Sequence, residues 1–189
     1  MSEVEIRFAT LEDAQRLCEI YNYYIEHTAI TFEIDTLSIE EFRNRIADIS
    51  KVYPYFVAYE GDEILGYAYA TRFHPRAAYD WCVEVAIYLD HTQKGRGIGS
   101  KLYYELEKFL KAQNVLNVYA CIAYTDEEDE YLTNGSMKFH ESYGFNLNGK
   151  FKKCGYKFGK WYDMIWMEKF LKHHPKTPKR LEGVEDLIF

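Results

Sequence analysis

A glycine-rich turn at residues 93–99 is the part of the chain whose residue types and spacing most clearly suggest chemistry. It reads Gln-Lys-Gly-Arg-Gly-Ile-Gly, follows the apolar run 83–89 and precedes an amphipathic stretch at 100–113. Such a turn between a strand and a helix presents several backbone N–H groups to one ligand, because glycine lets the backbone approach closely. The helix dipole and the charges of Lys94 and Arg96 favour an anion at this point. The turn therefore predicts a site for a diphosphate.

The spacing of the glycines excludes the two most common nucleotide loops. A P-loop has four residues between its glycines, followed by Gly-Lys-Ser or Gly-Lys-Thr. A dinucleotide-binding turn reads Gly-x-Gly-x-x-Gly, with an acidic residue about 20 positions further on. Residues 93–99 match neither pattern. On glycine content alone, an ordinary strand–turn–helix joint remains an alternative.

Length and charge limit the function classes further. A chain of 189 residues suits one domain, or one domain with a tail. The formal net charge of −7 argues against nonspecific nucleic-acid binding. No apolar run reaches the length of a membrane span, and the acidic first five residues are unlike a signal peptide. We therefore expect a cytoplasmic protein with no nucleic-acid or membrane partner.

The cysteines give no sign of a metal site. None forms a Cys-x-x-Cys pair, and their spacing does not suggest zinc. We expect no metal, and buried, reduced thiols at all four positions: Cys18, Cys82, Cys121 and Cys154.

Hydrophobic periodicity predicts the elements that position the turn. Apolar residues recur at helical spacing over 14–25, and Ser38 with Glu41 forms a capping box for a second helix. Further helices are expected over 98–110 and 134–143, the latter stopped by Gly144. Strands are expected at 4–9, 55–60, 64–73, 81–89, 115–124, 145–151 and 160–168. The order β-α-α-β-β-β-α-β-α-β-β predicts an α/β (α+β) fold, layered around a mixed sheet.

This order, with Gln-x-x-Gly-x-Gly at the central crossover, resembles the GNAT N-acetyltransferases and the pyrophosphate loop by which they bind acyl-CoA. The resemblance runs from about residue 6 to residue 170. Two segments, Ala-Tyr-Asp-Trp at 78–81 and Gly-Lys-Trp-Tyr-Asp at 159–163, resemble the phosphinothricin and methionine sulfoximine N-acetyltransferase subfamily. The resemblance implies a mostly antiparallel sheet, acetyl-CoA as cosubstrate, acetylation of the primary amine of a small amino acid, and a homodimer.

Two residues are the catalytic candidates under this reading. Glu84 is a carboxylate in an otherwise apolar central strand, where burial would raise its pKa and suit it to act as a base. A structural carboxylate is the alternative. His140 lies where many GNAT enzymes hold a tyrosine thought to protonate the thiolate, and an imidazole can also shuttle protons. Its alternative is a core or surface histidine.

The resemblance also implies the cofactor contacts. The turn and the start of the next helix should bind the pyrophosphate: Gln93, Lys94, Gly95, Arg96, Gly97, Ile98, Gly99 and Ser100. Val85 and Ile87 should offer backbone groups to the pantetheine arm as a neighbouring strand would. Asn134 and Ser136 should hydrogen-bond the pantetheine or the phosphate end.

An amino-acid acceptor would need a cation for its carboxylate. Arg76 is the first choice because its guanidinium matches a carboxylate in geometry, although a surface ion pair with Asp80 is the alternative. Arg72, Phe32 and Tyr79 are further candidates for the wall of the acceptor site.

Two segments depart from the family pattern. The five carboxylates at 126–130 resemble an insertion, and the tail after residue 171 is not accounted for. We therefore divide the chain into a GNAT domain at 1–171 and a tail at 172–189, which could dock, bind a partner or fray. The insertion keeps other acceptors open, namely a polyamine, an aminoglycoside or a protein N-terminus. A CoA-binding protein without catalysis is the remaining alternative.

Overall fold

The computed structural model describes residues 3–187, so the last two residues of the apolar group 187–189 lie outside the described residues. Within this range it has the predicted order of helices and strands. The helices are α1 (Ala14–His27), α2 (Ile39–Ser50), α3 (Ile98–Ala112) and α4 (Gly135–Ser142). The strands are β1 (Glu5–Phe8), β2 (Tyr55–Glu60), β3 (Glu63–Arg72), β4 (Cys82–Leu89), β5 (Asn117–Tyr124), β6 (Asn146–Lys157) and β7 (Lys160–Phe170).

The strands form one sheet in the order β1-β2-β3-β4-β5-β7-β6. Every neighbouring pair is antiparallel except β4 and β5, which run parallel. The mixed, mostly antiparallel sheet is thus confirmed. The parallel pairing is short, from Cys82 opposite Asn117 to Glu84 opposite Tyr119. Beyond Glu84 the two strands separate, and a wedge opens in the middle of the sheet.

The two faces of the sheet are covered by different helices. Successive residues of β4 point to opposite faces, as the two-residue period of a strand requires. Val83 and Val85 belong to the larger core cluster, which includes the buried leucines of α3. Tyr88 packs against the second cluster, which contains the apolar faces of α1 and α2. By the same alternation Glu84 lies on the α1–α2 face.

The structure corrects the predicted end of β6 and the predicted burial of two cysteines. The strand continues to Lys157 rather than ending at residue 151, because an irregularity between Phe151 and Gly155 interrupts the pattern without ending the pairing with β7. Cys121 and Cys154 are exposed rather than buried, and Cys82 is only partly buried.

The tail and the acidic run both contact the body of the protein. The tail packs alongside α3 and β5, with Val184 buried and Glu182 exchanging hydrogen bonds with Gln113. The acidic run is engaged by lysines, since Asp126 pairs with Lys150, Glu128 with Lys138 and Asp129 with Lys160. Within residues 3–187, no helix is long and apolar enough to cross a membrane.

Candidate active site

A cavity of about 260 Å³ lies where β4 and β5 separate. Because the wedge passes through the sheet, the cavity is lined from both faces. Tyr103 of α3 and His140 of α4 line it from one side, and Tyr21 of α1 and Arg45 of α2 line it from the other. Glu84 lines it at the point where the strands part. The cavity therefore offers two ligands separate approaches to one carboxylate.

The carboxylate of Glu84 is half-buried, and burial raises its pKa. No hydrogen bond or charged neighbour among the described residues compensates that burial. A carboxylate in this state accepts a proton more readily than an exposed one. Its position and its environment both suit a general base.

The side chain of His140 is buried and held at both ring nitrogens. Nδ1 lies 2.8 Å from the carbonyl oxygen of Ser136, and Nε2 lies 2.8 Å from the hydroxyl of Tyr103. A carbonyl oxygen can only accept, so Nδ1 carries the proton and Nε2 accepts from the tyrosine. Burial lowers the pKa of His140 to about 4, so the ring is neutral at pH 7. The pair therefore presents an oriented phenol beside a neutral imidazole.

The glycine turn has the backbone that an anion site requires. Gly95 and Gly97 have φ of +76° and +73°, which side chains rarely tolerate. Helix α3 starts at Ile98, and Gly97 provides no side chain to cap its free N–H groups. A Cβ added at Gly99 would lie 3.1 Å from the ring of Phe139, so α3 packs closely on α4 here. These observations fit a diphosphate held by backbone donors.

Arg96, one of the two cationic side chains of the turn, already has partners. Arg96 lies 2.9 Å from Glu60, and it also donates to the side-chain oxygen of Gln93. An incoming diphosphate would compete with Glu60 for this guanidinium.

The remaining predicted cofactor residues fall into two groups. Val85, Ile87 and Ser136 line the cavity. After Glu84, the edge of β4 that faces β5 pairs with no strand among the described residues. That edge is free to pair with an extended ligand. Asn134 is already engaged, because its amide group exchanges hydrogen bonds of 2.8 and 3.3 Å with the backbone of Thr125.

The predicted acceptor residues lie outside the lining of this cavity in the described part of the chain. Arg72 is 3.7 Å from Asp80, and Arg76 precedes the short helical turn Ala77–Tyr79. Phe32 packs on the backbone of Gly155, where no Cβ would fit. Arg72 follows Thr71, the cross-strand partner of Glu84, but none of the four residues lines the cavity, and their assignment remains a prediction.

Tyr103, Arg45 and Tyr69 are among the cavity residues that the sequence did not indicate. Tyr103 follows Leu102 in α3, and both side chains are buried. Because a buried tyrosine hydroxyl needs a hydrogen-bond partner, a tyrosine at this position could have indicated a polar contact. Arg45 precedes Ile46 on α2 and reads as a surface residue, since only tertiary packing turns it toward the cavity. Tyr69 lies in the largely buried strand β3, and its sequence context predicts a core residue rather than a cavity residue.

These features define a class of protein. An open strand edge leads from an uncapped glycine turn to a carboxylate within a wedge of the sheet, which is an arrangement for acyl transfer from a thioester of CoA. In residues 3–187 no cluster of three or more His, Cys, Asp or Glu side chains is arranged to hold a metal ion.

Comparison with known proteins agrees with this class. The model of the acetyltransferase (GNAT) domain family matches residues 6–166. A phosphinothricin N-acetyltransferase of Streptomyces viridochromogenes is 34% identical, with 94% of this chain and 93% of the relative covered. An L-methionine sulfoximine/L-methionine sulfone acetyltransferase of Salmonella typhimurium is 27% identical, with 89% and 95% covered. A solved phosphinothricin acetyltransferase of Sinorhizobium meliloti in complex with AcCoA has a TM-score of 0.84 at 32% identity, covering 95% and 94%.

The chain belongs to the GNAT acetyltransferase family. As a member of that family it is an acetyl-CoA-dependent N-acetyltransferase.

Proposed function

We propose that the chain acetylates the primary amine of a small amino acid or amino-acid analogue of the phosphinothricin or methionine sulfoximine type. The observation that carries this proposal is the unpartnered carboxylate of Glu84 at the point where the cavity meets both faces of the sheet. The names of the relatives support the choice of acceptor. Lysines pair with three of the five carboxylates of the acidic run and reduce its net negative charge, so we do not favour a polycationic acceptor.

The donor site is proposed on the α3–α4 face. Acetyl-CoA supplies an acetyl group already activated as a thioester. The N–H groups of residues 95–100 bind its pyrophosphate, and the open edge of β4 at Val85 and Ile87 pairs with its pantetheine arm. Ser136 lines the cavity beside that arm. Lys94 adds charge at the turn, and Arg96 does so once it leaves Glu60.

The proton transfers are assigned to residues that line the cavity where β4 and β5 separate. Glu84 accepts a proton from the ammonium group, which frees the lone pair that attacks the thioester carbonyl. The second proton that the nitrogen loses neutralises the departing thiolate. Burial keeps the hydroxyl of Tyr103 protonated by raising its pKa, and it can donate to developing negative charge once its single proton turns away from Nε2 of His140. His140 orients that hydroxyl rather than carrying charge itself.

The assignment is tested by thiol release from acetyl-CoA with phosphinothricin and with L-methionine sulfoximine as acceptors. Turnover with at least one is expected, and Glu84→Gln should lose most of it while still binding acetyl-CoA in calorimetry. Absence of turnover with both acceptors would contradict the proposed acceptor class.

We further propose that the protein is a homodimer. In the β6–β7 hairpin, Tyr156 and Trp161 pair across the two strands with their ring centroids 5.0 Å apart, and each side chain is 56% exposed. Exposed apolar rings in contact suit burial against a second copy. Sedimentation analysis should show a dimer for the wild type and a monomer for Trp161→Glu. A monomeric wild type would rule the dimer out.

Two further assignments complete the proposal. Residues 172–187 form an extension docked on a catalytic domain that ends near residue 171. The free thiols of Cys18 and Cys82 suit the reducing cytoplasm, which we propose as the compartment.

A further inference from the structure

The acceptor side of the cavity ends at an ion pair that the proposed mechanism does not use. Nη2 of Arg45 lies 2.9 Å from Oε1 of Glu33, and both side chains line the cavity. Arg45 comes from α2, while Glu33 comes from the connection between α1 and α2. Because each charge neutralises the other, the pair offers a ligand a donor and an acceptor without net charge.

The position of Glu33 is fixed by its neighbours along the loop. The hydroxyl of Thr31 is 3.1 Å from that of Tyr21 and accepts from the N–H of Glu33 at 3.3 Å. The ammonium group of Lys157 donates to the carbonyl of Thr31 at 2.9 Å. The loop is thus tied to α1 and to β6, and the ion pair with Arg45 holds one oxygen of the Glu33 carboxylate.

One oxygen of this carboxylate has no partner. Oε2 of Glu33 is buried and accepts no hydrogen bond from any described residue. Lys157 is close enough for its charge to interact with Glu33, but its ammonium group is directed to the carbonyl of Thr31. Buried polar atoms nearly always have partners, so an orphaned acceptor on a cavity wall suggests a donor that arrives with a ligand.

The ion pair and the reacting carboxylate are on the same side of the sheet. Tyr69 lines the cavity between them, and its hydroxyl is close enough to be influenced by the charges of Glu84, Glu33 and Arg45. Because the unpartnered oxygen of Glu33 repels a carboxylate, a small amino acid whose amine reaches Glu84 would direct the end of its side chain, rather than its carboxylate, toward Glu33 and Arg45.

We propose that Glu33 and Arg45 select the acceptor by the end of its side chain, favouring a neutral group with an N–H donor and an oxygen acceptor. The proposal rests on the proposed function and makes it more specific. A sulfoximine has this composition, because its S=O can accept from Arg45 while its N–H donates to Glu33. A sulfone has two oxygens and no donor, so it leaves the orphan oxygen unsatisfied. An anionic phosphinate meets a carboxylate at the same place.

L-Methionine sulfoximine and L-methionine sulfone form a matched pair that differs only in this N–H group. We expect kcat/KM to favour the sulfoximine by about tenfold or more, since an unmatched buried acceptor strongly penalises the analogue that lacks a donor. Glu33→Gln replaces the acceptor by an amide that can donate, so the ratio should fall to about one or reverse. Glu40→Gln, an exposed change on the same helix as Arg45, should leave the ratio unchanged.

Equal kcat/KM values for the two acceptors in the wild type would overturn the selection proposed for Glu33. An unchanged ratio in Glu33→Gln would overturn it as well. If neither acceptor is acetylated, the proposed function fails separately, and calorimetric titration of each compound in the presence of CoA decides the selection. Tighter binding of the sulfoximine that is lost in Glu33→Gln would support it, and equal or absent binding would reject it.

Discussion

The hydroxyl of Tyr103 donates to Nε2 of His140 across 2.8 Å in the buried end of the cavity. The direction is fixed because Nδ1 of the same ring must donate to the carbonyl of Ser136. The neutral imidazole thus accepts the proton of the Tyr103 hydroxyl and fixes the position of that hydroxyl. The low pKa of His140, about 4, keeps the ring neutral across the neutral pH range.

Removal of the hydroxyl in Tyr103→Phe should lower kcat about 10- to 100-fold, because the proton that Tyr103 gives to His140 in this structure is the one that it would donate to the departing thiolate. Affinity for acetyl-CoA should change little, since the turn at 93–99 is untouched. Steady-state kinetics and calorimetry measure the two effects separately. Tyr104→Phe is a matched control because its neighbouring side chain is 64% exposed. Equal loss of kcat in both variants would contradict the role given to Tyr103.

The pH dependence of kcat/KM should show Glu84 in its ionised form as the active species. Since burial raises its pKa, activity should rise with pH through a midpoint above that of an ordinary carboxylate. Glu84→Gln should lose this acidic limb together with most of the activity, whereas the exposed Glu63→Gln should retain both. A profile with the same acidic limb in Glu84→Gln would assign the titration to another group.

The same pKa shift predicts an effect on stability. A carboxyl group whose pKa is higher in the folded than in the unfolded state favours the folded state when it is protonated. That contribution is present below the unfolded pKa and is lost as the pH rises through the folded one. At pH 7 the ionised Glu84 therefore opposes folding, and Glu84→Gln should raise Tm while lowering activity. A lower Tm in this variant would show that the carboxylate has a stabilising partner.

The sequence predicts what local patterns determine. Ser38 and Glu41 form the expected capping box, with each backbone N–H bonded to the side chain of the other residue, because such a cap depends on residues three apart. The extent of β6 depends on pairing with β7 across an irregularity, and no short-range pattern encodes that. Arg45 likewise carries no local mark of its place in the cavity, which arises from packing of α2 against the sheet.

The contact between Arg96 and Glu60 is predicted to lower the affinity for acetyl-CoA. The guanidinium is 2.9 Å from Glu60, so a diphosphate must displace that carboxylate before it can use the full charge of Arg96. Glu60→Gln should tighten acetyl-CoA binding about two- to fivefold at low salt, with a smaller gain at high salt because screening weakens exposed charges. Calorimetry at two ionic strengths measures the change, with Glu63→Gln as the control. Weaker binding in Glu60→Gln would mean that Glu60 positions Arg96 for the ligand.

The docked tail predicts that residues beyond the family domain stabilise the fold and the loop before β4. Nε1 of Trp81 donates to the carbonyl of Lys179 at 2.6 Å, and Trp81 directly precedes the strand that carries Glu84. Val184 is buried, so deletion of residues 176–189 exposes apolar surface worth about 2–3 kcal/mol and should lower the free energy of unfolding by a similar amount. Denaturant titration measures that loss. Trp81→Phe keeps an aromatic ring but removes the hydrogen bond to Lys179. This variant should show only a small part of the loss in unfolding free energy. If the deletion leaves the unfolding free energy unchanged, the tail does not hold this position in solution.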